Sequence, residues 1–294
     1  MSLNAVVQIL VGGLAFGSVY ALVAVGIVFI WRTMNLLNFA HGQFLLLCCY
    51  VAIISLYQKL GWPISASVLV ALLIVGLFGT MFATTVFERL RKQPLLTSVI
   101  ATMGLSLVLE NAVLLLFGPR PYSFEGFLGR KMIWIGNVGF LANHVFALLV
   151  SLIILIVFAS VLKYTIIGRA IRAVAYDKET AGLMGIPVPW LLSLMFGFSA
   201  ILAGLAGILV VPVTYLTLDL GTAVGYKAFA SVVIGGFGSV PGAIIGGYIV
   251  GLLEGAGTAI LGTAYRDLLA FAVMLLVLFL RPSGILGIGE AERI

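Results

Sequence analysis

Charge is what this sequence has least of. Asp, Glu, Lys and Arg make up 9% of its 294 residues, against about 25% in a soluble domain. So few charges cannot cover the surface of a water-soluble fold, and a soluble globular domain is excluded. Cysteine is nearly absent: Cys48 and Cys49 stand side by side inside an apolar run. Sequence neighbours rarely satisfy disulfide geometry, so a disulfide-built fold is excluded and the pair reads as inert packing. Histidine occurs only as His41 and His144, without a ligand cluster, so no metal site is expected. No Gly-x-x-x-x-Gly-Lys-Ser/Thr segment is present, so a phosphate loop is excluded, and no catalytic residues are assigned. A net charge of +6 in so apolar a chain reports basic loops rather than nucleic-acid binding.

Long apolar runs are what the sequence has instead. Hydrophobic residues are 63% of the chain. The runs cover 5–31, 34–57, 62–87, 94–117, 143–163, 190–216, 222–240, 241–262 and 265–280. Each is near the roughly 20 residues that a helix needs to cross a bilayer core of about 30 Å. They do not alternate in polarity, which excludes a membrane barrel. The expected fold class is an all-α polytopic integral membrane protein with about eight to nine membrane-embedded helices, in one domain covering 1–294. The first run is span-length and lacks a charged leader, so no cleaved signal is expected. The glycine-rich stretch 222–262 reads either as two short spans or as one broken, re-entrant element.

Basic residues set the expected orientation. Arg89, Arg91 and Lys92 form one cluster, and Lys163, Arg169, Arg172 and Lys178 form another two spans later. With Arg281 and Arg293 they place the C-terminus inside and the N-terminus outside. The loop 118–142 then lies outside. Tyr122 and Trp134 suit a membrane interface there, although Arg120, Arg130 and Lys131 argue against that side.

Four segments could carry function. The stretch 168–187 is amphipathic: Ile171, Val174, Ala175, Leu183 and Met184 recur at near-helical spacing, with Arg169, Arg172, Asp177, Lys178 and Glu179 mostly opposite. Gly185 and Pro187 give a stop. Spacing alone leaves docking into a soluble partner and lying on the membrane surface equally open. The second segment is Asn38-Phe39-Ala40-His41-Gly42-Gln43, which interrupts an apolar run. Its polar groups either hydrogen-bond across helices or line a solute path. The third segment, Gly235 to Gly257, holds the G-x-x-x-G patterns Gly242–Gly246 and Gly247–Gly251, which permit close helix packing, and a candidate hinge at Gly238-Ser239-Val240-Pro241. The interruptions at 38–42 and 235–242 together suggest an inverted repeat around a binding region. The last group is charge at membrane depth: Glu110 and Glu254, with Asp219 and Lys227 near the glycines. Glu254 reads as a structural or gating group. The expected path residues are Asn38, His41, Gly42, Gln43, Gly238, Ser239 and Glu254.

Four motifs in order carry a family resemblance: Asn38-Phe39-Ala40-His41-Gly42, Gly168-Arg169-Ala170-Ile171-Arg172-Ala173 leading to Gly185-Ile186, Gly235-Gly236-Phe237-Gly238-Ser239-Val240-Pro241-Gly242-Ala243, and Arg281-Pro282-Ser283-Gly284-Ile285-Leu286-Gly287. Together they resemble the permease subunits of branched-chain amino acid ABC importers, in particular the LivH-like subunit. The resemblance implies a permease in a bacterial inner membrane that pairs with a homologous permease, two cytoplasmic ATPase subunits and a periplasmic solute-binding protein. ATP and magnesium would then belong to the partners, with no cofactor in this chain. It implies that about 164–189 is the coupling segment between the halves, carried here by Arg169, Ile171, Arg172, Val174, Asp177, Glu179 and Gly185. The implied cargo is a branched-chain or hydrophobic amino acid, with urea, short amides and aromatic solutes as alternatives in the same family. Gln43 stands where many members carry Glu. Outside this family, a proton-coupled carrier using His41, Glu110 or Glu254, or a passive channel, fits the same composition.

Overall fold

The computed structural model describes residues 3–87, 89, 93–135 and 138–287. Arg91, Lys92 and Arg293 of the basic clusters lie outside the described residues. Eight described helices are long and apolar enough to cross a membrane. The chain is an all-α polytopic membrane protein.

Helix α1 spans Leu3–Met34. Helix α2 spans His41–Cys49 and continues in wider π-type turns through Lys59. Then come α3, Ile64–Phe82, and α4, Leu95–Phe117. A two-stranded antiparallel hairpin follows, β1 at Met132–Ile135 and β2 at Val138–Leu141. It lies in the stretch read as an interface loop. Next are α5, Ala142–Tyr164, and two short helices, α6 at Ile166–Tyr176 and α7 at Lys178–Leu183. The second half holds α8, Val188–Val210, α9, Leu220–Gly235, α10, Val240–Leu261, and α11, Arg266–Leu280.

Glycines set the closest helix contacts. Antiparallel α1 and α10 cross where Gly13 and Gly17 meet Gly247 and Gly251. A Cβ on Gly17 would lie 2.8 Å from Tyr248 Cα, and one on Gly247 would lie 2.6 Å from the Ala21 nitrogen. The G-x-x-x-G reading of this helix thus holds: backbones touch where lipid gives no hydrophobic drive for association. Antiparallel α3 and α8 repeat the device, with Gly76 and Gly79 against Gly197 and Ala200. Ser199 Oγ donates to the Gly26 carbonyl at 2.9 Å, which ties α8 to α1. Cys48 and Cys49 are free and buried beside Gly204 and Gly207 of α8.

The two halves are arranged in inverted order. Helix α9 runs beside α1 in the same direction: Lys227 sits over the Tyr20 ring and Phe237 packs on Trp31. Helix α2 runs beside α8 in the same way, with Phe44 on Phe196 and Cys49 near Gly207. The short helices α2 and α9 pass each other antiparallel over their first turns, through Phe39–Phe229, Gly42–Gly225 and Leu46–Gly221. So α1–α2–α3 and α8–α9–α10 are counterparts of opposite sense. The counterpart of the 35–40 turn is the stretch 211–219 before α9, not the glycine motif at 235–242.

That motif is the tight turn between α9 and α10. Gly236 and Gly238 have φ of 111° and 85°, which favour glycine. Ser239 Oγ accepts from the Gly242 amide at 3.1 Å and caps α10. Pro241 falls in the first turn, where its missing N–H leaves no bond unmade. The segment Gly238-Ser239-Val240-Pro241, read as a candidate hinge, forms a glycine turn and a capped helix start. The fourth motif closes the same corner. Ile285 and Leu286 amides donate to the Ile234 and Gly235 carbonyls, both at 2.9 Å, which satisfies the end of α9.

Candidate functional site

A cavity of about 190 Å³ lies where α2 and α9 pass, walled on the third side by α4. Asn38, His41, Gly42 and Gln43 all line it. The chain enters α2 through a turn in which Asn38 Oδ1 accepts from the Ala40 amide at 3.0 Å. The turn is pinned by Thr102 of α4, whose hydroxyl receives the Phe39 amide at 3.3 Å. Gly42 is a contact point: a Cβ there would overlap the Gly221 carbonyl and lie 3.2 Å from Gly225 Cα. Two glycine faces therefore let α2 and α9 close the cavity between them.

The polar centre of the cavity is a triad from three helices. Gln43 Nε2 of α2 donates to Glu110 Oε2 of α4 at 3.2 Å and to Thr222 Oγ1 of α9 at 2.9 Å. The Thr222 hydroxyl donates to the same Glu110 oxygen at 3.3 Å. Gln43 Oε1 is buried without a hydrogen-bond partner. Ile27, Met103, Leu107, Tyr226 and Phe229 supply apolar wall. Composition marked Glu110 as a charge at depth but not its place beside Gln43. Gly221, Thr222, Tyr226 and Phe229 had no sequence signal beyond membership of a glycine-rich run.

Gly238, Ser239 and Glu254 do not line this cavity. Glu254 belongs to a charge cluster joining four helices. Its Oε1 accepts from Lys227 Nζ at 2.7 Å, and its Oε2 accepts from Tyr20 Oη at 2.5 Å. Lys227 also reaches Asp267 Oδ1 at 2.9 Å, and Arg266 Nε lies 3.5 Å from both carboxylates. Two cations balance two anions, as burial of charge requires. The structural reading of Glu254 describes what these contacts do: they lock α1, α9, α10 and α11 together.

Residues 9–278 match the family model described as the branched-chain amino acid transport system permease component. The chain belongs to this permease family. The high-affinity branched-chain amino acid transport permease LivH of Salmonella typhimurium is 32% identical over 98% of this chain and 97% of its own length. LivH of Escherichia coli K12 is 31% identical over the same shares. BraD of Pseudomonas aeruginosa, named for the same transport system, is 29% identical over 98% of this chain and 97% of its own. No solved structure matches the chain.

In this permease the segment 165–187 forms α6 and α7, beside the end of α5. Thr165 caps α6 through the Gly168 amide at 3.0 Å. The Arg172 guanidinium donates to the Leu162 carbonyl and so fixes α6 to the end of α5. Ile171 and Val174 are buried, so the apolar side of α6 faces the permease itself. Arg169, Tyr176, Glu179, Leu183, Met184 and Gly185 are exposed instead. Asp177 caps α7, accepting from the Glu179 and Thr180 amides at 2.8 and 3.3 Å and from the Thr180 hydroxyl at 2.6 Å. Gly185, at φ 84°, ends it.

The Thr180 hydroxyl, then the two amides, hold the Asp177 carboxyl below its usual range. A depressed folded-state pKa stabilises above the unfolded value and is lost as pH falls through the folded one. The cap is thus complete above about pH 4 and lost only under more acid conditions. Asp177→Ala is expected to raise amide hydrogen exchange at Glu179 and Thr180 at neutral pH while leaving α8 protected. Unchanged exchange at both amides would refute the cap.

Proposed function

We propose that the chain is the membrane-spanning permease of an ATP-driven, binding-protein-dependent importer for branched-chain and other hydrophobic amino acids. The observation that carries this is the cavity between two inversely arranged short helices. A site at the junction of inverted halves is what alternating access requires, because rocking the halves opens it to one side and then the other. The relatives named for branched-chain amino acid transport support the cargo.

In this reading the path runs past Asn38, His41, Gly42 and Gln43, and Glu254 with the Gly238-Ser239 turn stabilises the moving half. The N-terminus is periplasmic and the C-terminus cytoplasmic, in a bacterial inner membrane. Support comes from Lys163, Arg169 and Arg172 near the α1 terminus that carries Arg32. The partners are a homologous permease, two ATPase subunits that bring ATP and magnesium, and a periplasmic binding protein.

The coupling surface in this reading is the exposed groove of α6 and α7, which includes Arg169, Tyr176, Asp177, Thr180 and Met184. It is not the buried Ile171 and Val174. Replacing Tyr176 and Met184 together by alanine should lower leucine uptake by the full complex about tenfold while the variant still inserts and purifies as wild type. Uptake and ATPase activity that stay coupled would remove this surface from the mechanism. Leucine uptake by the permease alone, driven by a proton gradient, would overturn the ATP-driven reading.

A further inference from the structure

Among the described residues, Glu110 is the only formally charged one lining the cavity. Its hydrogen-bond donors are the Gln43 amide and the Thr222 hydroxyl; Asn38, His41 and Ser106 line the same cavity, and no described cation forms a salt bridge with Glu110. The charges clustered around Glu254, by contrast, are balanced. Intramembrane carboxylates pair with a cation or mark a solute path. The donors on it, Gln43 Nε2 and Thr222 Oγ1, both reach the same oxygen, Oε2. Oε1 has no described protein donor. Gln43 Oε1 is a buried acceptor without a partner. A group that satisfies a free carboxylate oxygen and a free amide oxygen must donate several hydrogen bonds and carry positive charge. A primary ammonium has three donors and does both. The apolar wall from Met103, Leu107, Tyr226 and Phe229 accepts a hydrocarbon side chain beside it.

We infer that Glu110 and Gln43 form the seat for the α-ammonium group of the solute as it passes through the permease. This rests on the amino acid reading above and adds a selectivity to the permease itself. A solute of the same shape without an amino group leaves both acceptors unmatched, and desolvation makes that costly.

The test uses the full complex with Ser106→Cys as a reporter, since Ser106 lines the cavity. Cys48 and Cys49 are replaced by alanine in this background. The rate of maleimide labelling at the reporter is measured with leucine or with its α-keto analogue, in the absence of the binding protein. Leucine should slow labelling about tenfold more than the keto acid does. Glu110→Gln should abolish that difference, and Glu110→Asp should keep part of it. Equal protection by the two solutes, or none by either while leucine uptake is intact, would overturn the seat. Leucine uptake by the wild-type complex is measured in parallel. Its absence would instead remove the amino acid reading, so the two failures are distinguished.

Discussion

Lys227→Met is expected to destabilise the folded permease by about 3–5 kcal/mol, toward the lower end of that range. The Lys227 and Glu254 side chains are 3% and 8% exposed. Removing the ammonium leaves a carboxylate that has given up its hydration and lost its closest cation, at 2.7 Å. Tyr20 still donates to Glu254, and half-exposed Arg266 stands 3.5 Å away, which keeps the loss toward the lower end. The double variant Lys227→Met with Glu254→Gln should recover most of the stability. It removes the stranded charge but keeps an acceptor for Tyr20. Thermal unfolding of the purified chain in detergent reads both effects. A single variant as stable as wild type, or a double variant no better than the single, would contradict a buried, mutually dependent pair.

Gly42→Val should lower transport strongly with little loss of inserted protein. The new Cβ would overlap the Gly221 carbonyl and press on Gly225 Cα, and both are backbone. Side chains can rotate away from an intruder; backbone cannot. Helix α9 has little room to retreat, because Lys227 holds it to α10 and Ile285 and Leu286 hold its end. Overpacking costs about 1–3 kcal/mol, sometimes more, and here the strain falls on the cavity wall. Leucine uptake should fall at least about tenfold. Gly104→Ala on α4 is the control, since a Cβ there meets nothing within 4 Å. Near-normal uptake by Gly42→Val would mean that the two first turns separate freely.

The sequence was a good guide where polarity broke an apolar run. Asn38, His41 and Gln43 stood out because hydrocarbon does not solvate them, and they do share one cavity. Glu110 stood out for the same reason, but its partners lie 67 and 112 residues away, which no local pattern reveals. The second half of the cavity was hidden. Gly221, Thr222 and Tyr226 read as ordinary packing, and the turn before α9 began inside an apolar run that ended at 216. The louder glycine motif at 235–242 drew the symmetry argument to the wrong corner. Periodicity marked a helical stretch over 168–187, but not its division at Asp177 or its facing: Ile171 and Val174 are covered by the permease, whereas Tyr176 and Met184 are left bare. Only the course of the flanking helices decides that.

The capping of α9 by Ile285 and Leu286 has a consequence for biosynthesis. Helix α9 leaves the ribosome well before the residues that satisfy its last carbonyls. Until residues 281–287 fold back, the end of α9 keeps two backbone acceptors unpaired by the chain. The cavity wall that depends on α9 is therefore completed only after those residues are made. A nascent chain is expected to gain a competent cavity only after residues 281–287 have reached the end of α9.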